Sequence, residues 1–254
     1  MTRVFVLVVV TAALLYAGLC LVLYLFQRSL IYFPQPRSLG PGASATTLSV
    51  PGANLVVTTR PLQSEKAVVY FGGNAEDVSA SLPELEAAFP DHALYLLHYR
   101  GYGGSSGSAS EAALHADALA LHDQARSEHP HITVVGRSLG TGVAIRLATE
   151  RPVSRLVLVT PYDSLEELAV QQFPLFPVRW LLRDRFESSR HAARVSAPTT
   201  LIIAEHDEVI PAESAKRLHA RFADGVSRHV LIPGVGHNTV SGHPAYLPAL
   251  RGVP

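Results

Sequence analysis

The pentapeptide Gly136-Arg137-Ser138-Leu139-Gly140 holds a serine between two glycines, a pattern typical of a nucleophilic serine at a strand-to-helix turn. The apolar run from Ile132 to Ser138 precedes the turn, and a helical pattern from Gly140 to Thr149 follows it. A side chain at either glycine would obstruct the close approach of strand and helix, and the strained turn exposes the serine hydroxyl. Because this pattern also arises by chance, its interpretation depends on suitably placed partners.

A serine hydroxyl is a poor nucleophile at neutral pH, so it needs a histidine base and a carboxylate that orients the histidine. His237 follows the last apolar run of the chain, and Asp207 ends the run before it. Asp163, which follows an earlier run, is the alternative acid. His206 is a poorer base because it adjoins Asp207, and neighbouring strand residues point to opposite faces. The order serine, acid, histidine predicts cleavage of an acyl bond by Ser138, Asp207 and His237.

Backbone amides near Ser138 could stabilise the negative charge that develops on an attacked carbonyl oxygen. In this kind of turn, the donors are the amide after the nucleophile and one from the loop after the first core strand. These positions are Leu139 and Asn74, which we predict to form an oxyanion hole. The glycines Gly72 and Gly73 would let this loop approach a ligand closely, although an ordinary glycine turn has the same composition.

Apolar runs alternate with helical patterns along most of the chain, which predicts an α/β fold with a mostly parallel central sheet flanked by helices. Leu48 to Arg60 reads as an opening hairpin. The later runs are apolar enough for parallel strands buried on both faces: Ala67 to Gly73, Ala93 to Gly101, Ile132 to Ser138, Arg155 to Tyr162, Thr199 to Asp207 and Arg228 to Gly234. Helical periodicity covers Glu76 to Phe89, Ser110 to Glu128, Gly140 to Thr149, Pro211 to Phe222 and Pro244 to Leu250.

The segment of approximately residues 163–195 is longer than a simple crossover between strands, and we predict that it forms a small helical cap. It carries Phe173, Phe176 and Trp180, which we propose as substrate-binding residues for an acyl chain. Packing of the cap against the sheet would require the same apolar residues, so both interpretations stay open.

The stretch from Val4 to Phe26 contains no charged residue, and at about 1.5 Å per residue it reaches about 34 Å, enough to cross a bilayer. A cleaved signal peptide has a shorter apolar region, and a lipoprotein signal ending at Cys20 would need a small residue where Leu19 stands. We therefore predict a single-pass membrane protein with a transmembrane anchor (1–27), a linker (28–44) and an α/β domain (45–254). Flanking charges orient the anchor weakly, and we favour an extracytoplasmic domain, periplasmic in a Gram-negative cell.

Composition excludes several classes of function for these 254 residues. Lys plus Arg and Asp plus Glu both number 21, so no basic surplus favours nucleic acid as a partner. The run Gly101 to Ser106 departs from the dinucleotide-binding pattern, which predicts no nucleotide cofactor. His129 and His131 lack the spacing of a metal site, and we predict neither a metal nor any other cofactor.

Several motifs together resemble the serine α/β-hydrolase superfamily, in particular its single-pass, membrane-anchored branch, which includes depalmitoylating enzymes and bacterial relatives. The motifs follow the apolar stretch: QRSLIYFP (27–34), GGNAED (72–77), YRGYGGSSG (99–107), GRSLGT (136–141), LLRDRFES (181–188), AEHDEVIP (204–211) and GVGHN (234–238). The resemblance covers most of the chain and implies the α/β-hydrolase fold, with Ser138 as nucleophile, Asp207 as acid and His237 as base. Gly72 stands where relatives commonly carry a histidine, which affects the expected rigidity of the oxyanion hole.

The activity expected from these residues is hydrolysis of a carboxylic ester or thioester through an acyl-enzyme. The substrate would be a small-molecule or lipid-like acyl compound, or a lipidated protein. Three alternatives stay open: a serine peptidase-type amidase, a non-catalytic binding module on the same fold, and a haloperoxidase-like or lyase activity without an acyl-enzyme.

Overall fold

A computed structural model describes residues 1–38 and 44–252 of the chain. One eight-stranded sheet runs through the molecule in the order β1-β2-β4-β3-β5-β6-β7-β8. Its strands are β1 (Ser44–Val50), β2 (Ala53–Arg60), β3 (Lys66–Phe71), β4 (Ala93–Leu97), β5 (His131–Arg137), β6 (Arg155–Val159), β7 (Thr199–Ala204) and β8 (Ser227–Ile232). The β1-β2 hairpin and the β2-β4 pair are antiparallel, whereas every pairing from β4 to β8 is parallel.

The sheet is buried on both faces where helices cover it. Strands β3 to β7 are rich in valine, leucine and isoleucine, and almost every residue in them is buried, as parallel strands covered on both faces require. The strand β8 differs, because it pairs only with β7 and five of its six residues are partly or fully exposed. The expectation that Arg228 to Gly234 forms a fully buried strand is therefore wrong, since β8 is an edge strand.

Nine α-helices lie within the described residues. They are α1 (Thr2–Ile31), α2 (Leu82–Ala88), α3 (Glu111–Glu128), α4 (Leu139–Ala148), α5 (Leu165–Gln172), α6 (Val178–Leu181), α7 (Ser188–Ala192), α8 (Ala212–His219) and α9 (Tyr246–Arg251). The expected helix over Glu76 to Phe89 is divided into a 3₁₀ turn, Val78–Ser81, and α2. The Asp77 side chain caps the turn, and Pro83 lies in the first turn of α2, where a missing N–H costs no hydrogen bond.

The segment expected to form a cap contains three short helices, α5, α6 and α7, between β6 and β7. Ser164 caps α5 by accepting a hydrogen bond from the Glu167 amide. The positions of these helices agree with a helical cap over residues 163–195, whose boundaries remain a prediction.

The helix α1 is long and apolar enough to cross a membrane, and most of its side chains are exposed. It continues beyond residue 27 to Ile31, and an extended segment follows as far as Ser38. Residues 39–43 of the linker predicted over 28–44 lie outside the described residues. Residues 253–254 of the predicted domain also lie outside them.

Candidate active site

Ser138 lies at the turn between β5 and α4, in a backbone conformation that side chains rarely adopt (φ 49°, ψ −118°). Its amide donates to the Val159 carbonyl, and the chain turns directly into the helix. A Cβ atom at Gly136 would lie 2.5 Å from the Gly140 carbonyl oxygen, and one at Gly140 would overlap the Phe71 carbonyl. Only glycine fits these two positions, so the motif has the steric basis expected from the sequence.

A continuous line of hydrogen bonds joins Ser138, His237 and Asp207. The Ser138 Oγ lies 3.0 Å from His237 Nε2, and His237 Nδ1 lies 2.8 Å from Asp207 Oδ2. The side chains of His237 and Asp207 are only 7% and 3% exposed. With the proton on Nδ1 directed at the carboxylate, Nε2 is free to accept the serine proton.

The loops after β7 and β8 hold the acid and the histidine in place. Asp207 Oδ1 accepts hydrogen bonds from the amides of Val209 (2.9 Å) and Ile210 (2.6 Å), which orient the carboxylate. Glu208 accepts from the His237 amide at 3.0 Å and so joins the two loops. The sequence analysis did not identify Glu208, because this contact depends on the adjacency of β7 and β8.

The two alternative residues occupy other environments. Asp163 accepts hydrogen bonds from Ser214 Oγ (2.6 Å) and Arg217 Nε (2.6 Å), so its carboxylate is occupied away from His237. The His206 side chain is 70% exposed. The structure therefore brings neither residue into the line that contains Ser138.

The amides of Leu139 and Asn74, the expected oxyanion donors, have no hydrogen-bond acceptor within residues 1–38 and 44–252. Leu139 is the first residue of α4, where an amide lacks an intrahelical partner. The Asn74 carbonyl accepts from the Phe33 amide (3.0 Å), and its side-chain amide donates to the Ile31 carbonyl (3.0 Å). The end of α1 thus contributes to the position of the Asn74 loop.

Glu76 is a component of this loop that the sequence analysis missed. Its Oε2 accepts from the Gly73 amide at 2.7 Å and from Arg137 at 3.1 Å, while Oε1 accepts from Tyr70 at 2.6 Å. Burial, with the Glu76 carboxylate nearby, raises the pKa of Tyr70 well above its usual value, so Tyr70 stays protonated and donates. One carboxylate therefore links the loop before Asn74 to the residue before Ser138.

The same contacts explain the glycine at position 72. A Cβ atom there would lie 2.5 Å from Val78 Cγ1 and 3.1 Å from the Glu76 carboxylate. The space beside the loop is already filled, and the Glu76 carboxylate fixes the loop at Gly73. The one sequence signal for this role of Glu76 is its position three residues after Gly73 in GGNAED.

A cavity of about 420 Å³ lies between α1 and the cap. Its lining is mainly apolar, and includes Leu23, Leu30 and Ile31 of α1 and Leu165, Leu168, Phe173, Phe176 and Leu181 of the cap. Trp180, which was also expected here, is not part of the lining and is 87% exposed. Ser138, Asp207 and His237 do not line the cavity, but two lining residues contact the site: Ile31 accepts a hydrogen bond from Asn74, and Glu208 accepts one from the His237 amide.

Polar contacts fix the last turns of α1 to the cap. Gln27 is buried, donates to the Leu181 carbonyl (3.0 Å) and accepts from the Arg183 amide (2.7 Å). Arg28 pairs with Asp184 at 2.9 Å, and Tyr32 donates to the same carboxylate at 3.0 Å. The helix is therefore part of the structure around the cavity.

No group of three or more His, Cys, Asp or Glu side chains is placed to hold a metal ion in residues 1–38 and 44–252. Ser138, His237 and Asp207 are residue types that can carry out nucleophilic attack and proton transfer.

Comparisons with known proteins identify relatives and structural neighbours. The family model described as alpha/beta hydrolase fold matches residues 66–189. The uncharacterised protein Rv2307c of Mycobacterium tuberculosis is 38% identical over 91% of this chain and 87% of its own length. Lysophosphatidylserine lipase ABHD12 of Xenopus tropicalis is 31% identical, over 61% of this chain and 46% of the lipase. An esterase of Pyrococcus furiosus has a TM-score of 0.67 at 17% identity, covering 87% of this chain and 96% of the esterase. These findings confirm the fold expected from the sequence.

Proposed function

Since the chain belongs to the α/β-hydrolase family, we propose that it is a serine hydrolase that cleaves carboxylic esters or thioesters and is anchored in a membrane by α1. The observation that carries the proposal is the hydrogen-bonded line from Ser138 through His237 to Asp207. A nucleophile, a base and an orienting acid within hydrogen-bond distance are the arrangement that acyl transfer through a covalent intermediate requires.

The reaction follows from the positions of these groups. Ser138 Oγ attacks the substrate carbonyl carbon as His237 Nε2 accepts the serine proton, and the Leu139 and Asn74 amides stabilise the oxyanion. The carbon-oxygen or carbon-sulfur bond then breaks, and His237 returns the proton to the leaving group. Water attacks the acyl-serine with His237 again as base, which releases the carboxylic acid and restores Ser138. Asp207 holds the imidazole and stabilises its protonated form.

The cavity between α1 and the cap supports an acyl chain as the substrate group. Its volume of about 420 Å³ and its mainly leucine, isoleucine and phenylalanine lining suit a hydrocarbon chain. The similarity to a lysophosphatidylserine lipase is in accord with a lipid-like ester, although the match covers only part of that enzyme. A lipidated protein would present the same acyl group.

The membrane anchor is supported by the apolar composition and length of α1. Because polar contacts fix α1 to the cap, the anchor would also hold the cavity beside the bilayer from which acyl lipids come.

Covalent labelling of the full-length protein tests the proposed chemistry. In detergent micelles, a fluorophosphonate should add once per chain, and peptide mapping should locate the adduct on Ser138. Prior acylation by a slowly hydrolysed ester should block the label. A folded protein that takes no label, or takes it at another residue, would refute the proposed nucleophile and favour the non-catalytic binding module.

Replacing Phe176 with alanine tests the proposed acyl-chain cavity. The variant loses apolar contacts with a bound chain, so kcat/KM for a long-chain ester should fall about tenfold, the effect of about 1.4 kcal/mol, while a short-chain ester changes little. Esterase assays across a series of chain lengths in detergent measure the difference. Leu231→Ala, on the exposed face of β8, is the control and should leave both activities unchanged. Equal losses at every chain length would contradict the assignment of the cavity.

A further inference from the structure

The cap contains an apolar stretch with exposed side chains. No charged residue occurs from Leu168 to Val178, between Glu167 and Arg179. Leu175, within this stretch, is 81% exposed. Trp180 and Phe173, which lie close to Leu175 in the chain, are also exposed apolar side chains. We call residues 173–177 the cap tip.

The cap tip lies along the middle of α1. Tyr16 donates a hydrogen bond to the Leu175 carbonyl at 2.8 Å, and its ring stacks on Phe176 with an interplanar angle of 5°. Tyr16 precedes Phe26, the end of the uncharged stretch, by about 15 Å along the helix at about 1.5 Å per residue. This distance is about half of a bilayer core, which is about 30 Å thick. If α1 spans a bilayer, Tyr16 and the Leu175 carbonyl to which it donates therefore lie at the depth of the lipid chains.

The backbone of the cap tip also suits a medium without water. Pro174 and Pro177 have no N–H group. The amides of Phe173, Phe176 and Val178 donate to carbonyls within residues 169–176. Across residues 173–178, only the Leu175 amide lacks an acceptor within the described part of the chain. Few unpaired donors would therefore be transferred into hydrocarbon, where each has a large free-energy cost.

Polar groups resume at the level of α1 where its apolar stretch ends. The Arg183 guanidinium lies 4.0 Å from the centre of the Tyr24 ring, and Gln27 bonds to Leu181 in α6. Trp180 belongs to the same short helix and faces outward. Tryptophan is enriched at the membrane interface, where its ring contacts both apolar and polar surroundings.

We propose that the cap tip inserts into the same membrane leaflet as the C-terminal half of α1, with Trp180 at the interface. The inference rests on the proposed anchoring by α1 and adds a second contact with the lipid chains. Phe173 and Phe176 belong both to the cap tip and to the cavity lining, so the cavity borders the inserted surface. A lipid acyl chain can then pass from the bilayer into the cavity between α1 and the cap without crossing water.

Two natural reporters make this inference testable, since the chain has one tryptophan, Trp180, and one cysteine, Cys20. The full-length protein is reconstituted in phosphatidylcholine nanodiscs that contain lipids brominated either near the headgroup or near the chain end. Trp180 emission should shift to the blue relative to a water-exposed indole and be quenched more by the shallow bromines. A polarity-sensitive fluorophore on Cys20, within α1, reports separately whether the helix lies in the bilayer.

A second variant measures the depth of the cap tip. In Trp180→Phe/Leu175→Trp, the single indole moves to the cap tip, and the bromines near the chain end should quench it more than the shallow ones. A thermal midpoint of unfolding close to that of the native protein shows that the variant is folded, whether or not the proposed chemistry holds. If both indoles are unquenched while the Cys20 probe reports hydrocarbon, the cap tip lies outside the bilayer, so the inference fails and the anchor stands. If the Cys20 probe reports water, the proposed anchor fails and the inference that rests on it is overturned.

Discussion

Replacing Asp207 with asparagine is expected to lower kcat/KM for a short, water-soluble ester by about 10⁴-fold. The asparagine amide would donate to His237 Nδ1, which forces the imidazole proton onto Nε2. Nε2, which lies 3.0 Å from Ser138 Oγ, then cannot accept the serine proton. Asparagine has nearly the same size as aspartate, and its Oδ1 can still accept from the Val209 and Ile210 amides. The loss of activity should therefore appear in a folded protein. Steady-state assays of the full-length protein at neutral pH measure it.

The matched control is Asp163→Asn, at the alternative acid. This change weakens the contact with Arg217 and should lower the thermal midpoint, because Asp163 is buried. It should leave kcat/KM nearly unchanged, since the Asp163 carboxylate bonds to Ser214 and Arg217, away from His237. A large loss from Asp163→Asn combined with a small loss from Asp207→Asn would assign the acid to Asp163.

Replacing Glu76 with alanine is expected to lower kcat by about 10²-fold, the effect of weakening one oxyanion donor, with little change in KM. The Gly73 amide loses its acceptor, and the neighbouring Asn74 amide is no longer held towards the substrate oxygen. Ester assays that separate kcat from KM test this role. A loss of kcat at nearly constant KM would identify Glu76 as a positioning residue, which acts through the loop of Gly73 and Asn74.

The matched variant Glu76→Gln separates positioning from folding. Both substitutions remove the charge beside Arg137 and should lower the thermal midpoint. The glutamine oxygen can still accept from the Gly73 amide, so Glu76→Gln should regain most of the lost kcat. Equal activity losses in the two variants would show that the effect comes from the unpaired arginine.

The line of Ser138, Asp207 and His237 could be expected from the sequence because of the way parallel strands end. Each residue lies at or just after the carboxyl end of an apolar run, and the runs became β5, β7 and β8. The carboxyl ends of parallel strands share one edge of a sheet, so residues far apart in the chain meet there. The steric need for Gly136 is likewise local, since its Cβ would meet Gly140 in the same turn, whereas the need for Gly140 depends on the close approach of β3 at Phe71.

Other features depend on the packing of distant segments, which no local pattern encodes. Glu76 pairs with Arg137, and Gln27 bonds to Leu181 and Arg183 across the cap. Phe176 and Trp180 are both aromatic residues of the cap, yet Phe176 lines the cavity and Trp180 faces outward. Phe176 stacks on Tyr16 of α1, whereas Trp180 does not line the space between α1 and the cap, and the sequence alone left this choice open.

The attachment of α1 to the cap has a consequence for how this protein would meet its substrates. A domain on a flexible tether tumbles above a membrane and presents its site in every direction. Here Gln27, Arg28 and Tyr32 hold the helix against the cap, and Ile31 bonds directly to the Asn74 loop. In a bilayer the site would keep one height and one tilt, so the search for substrate becomes two-dimensional diffusion within the leaflet.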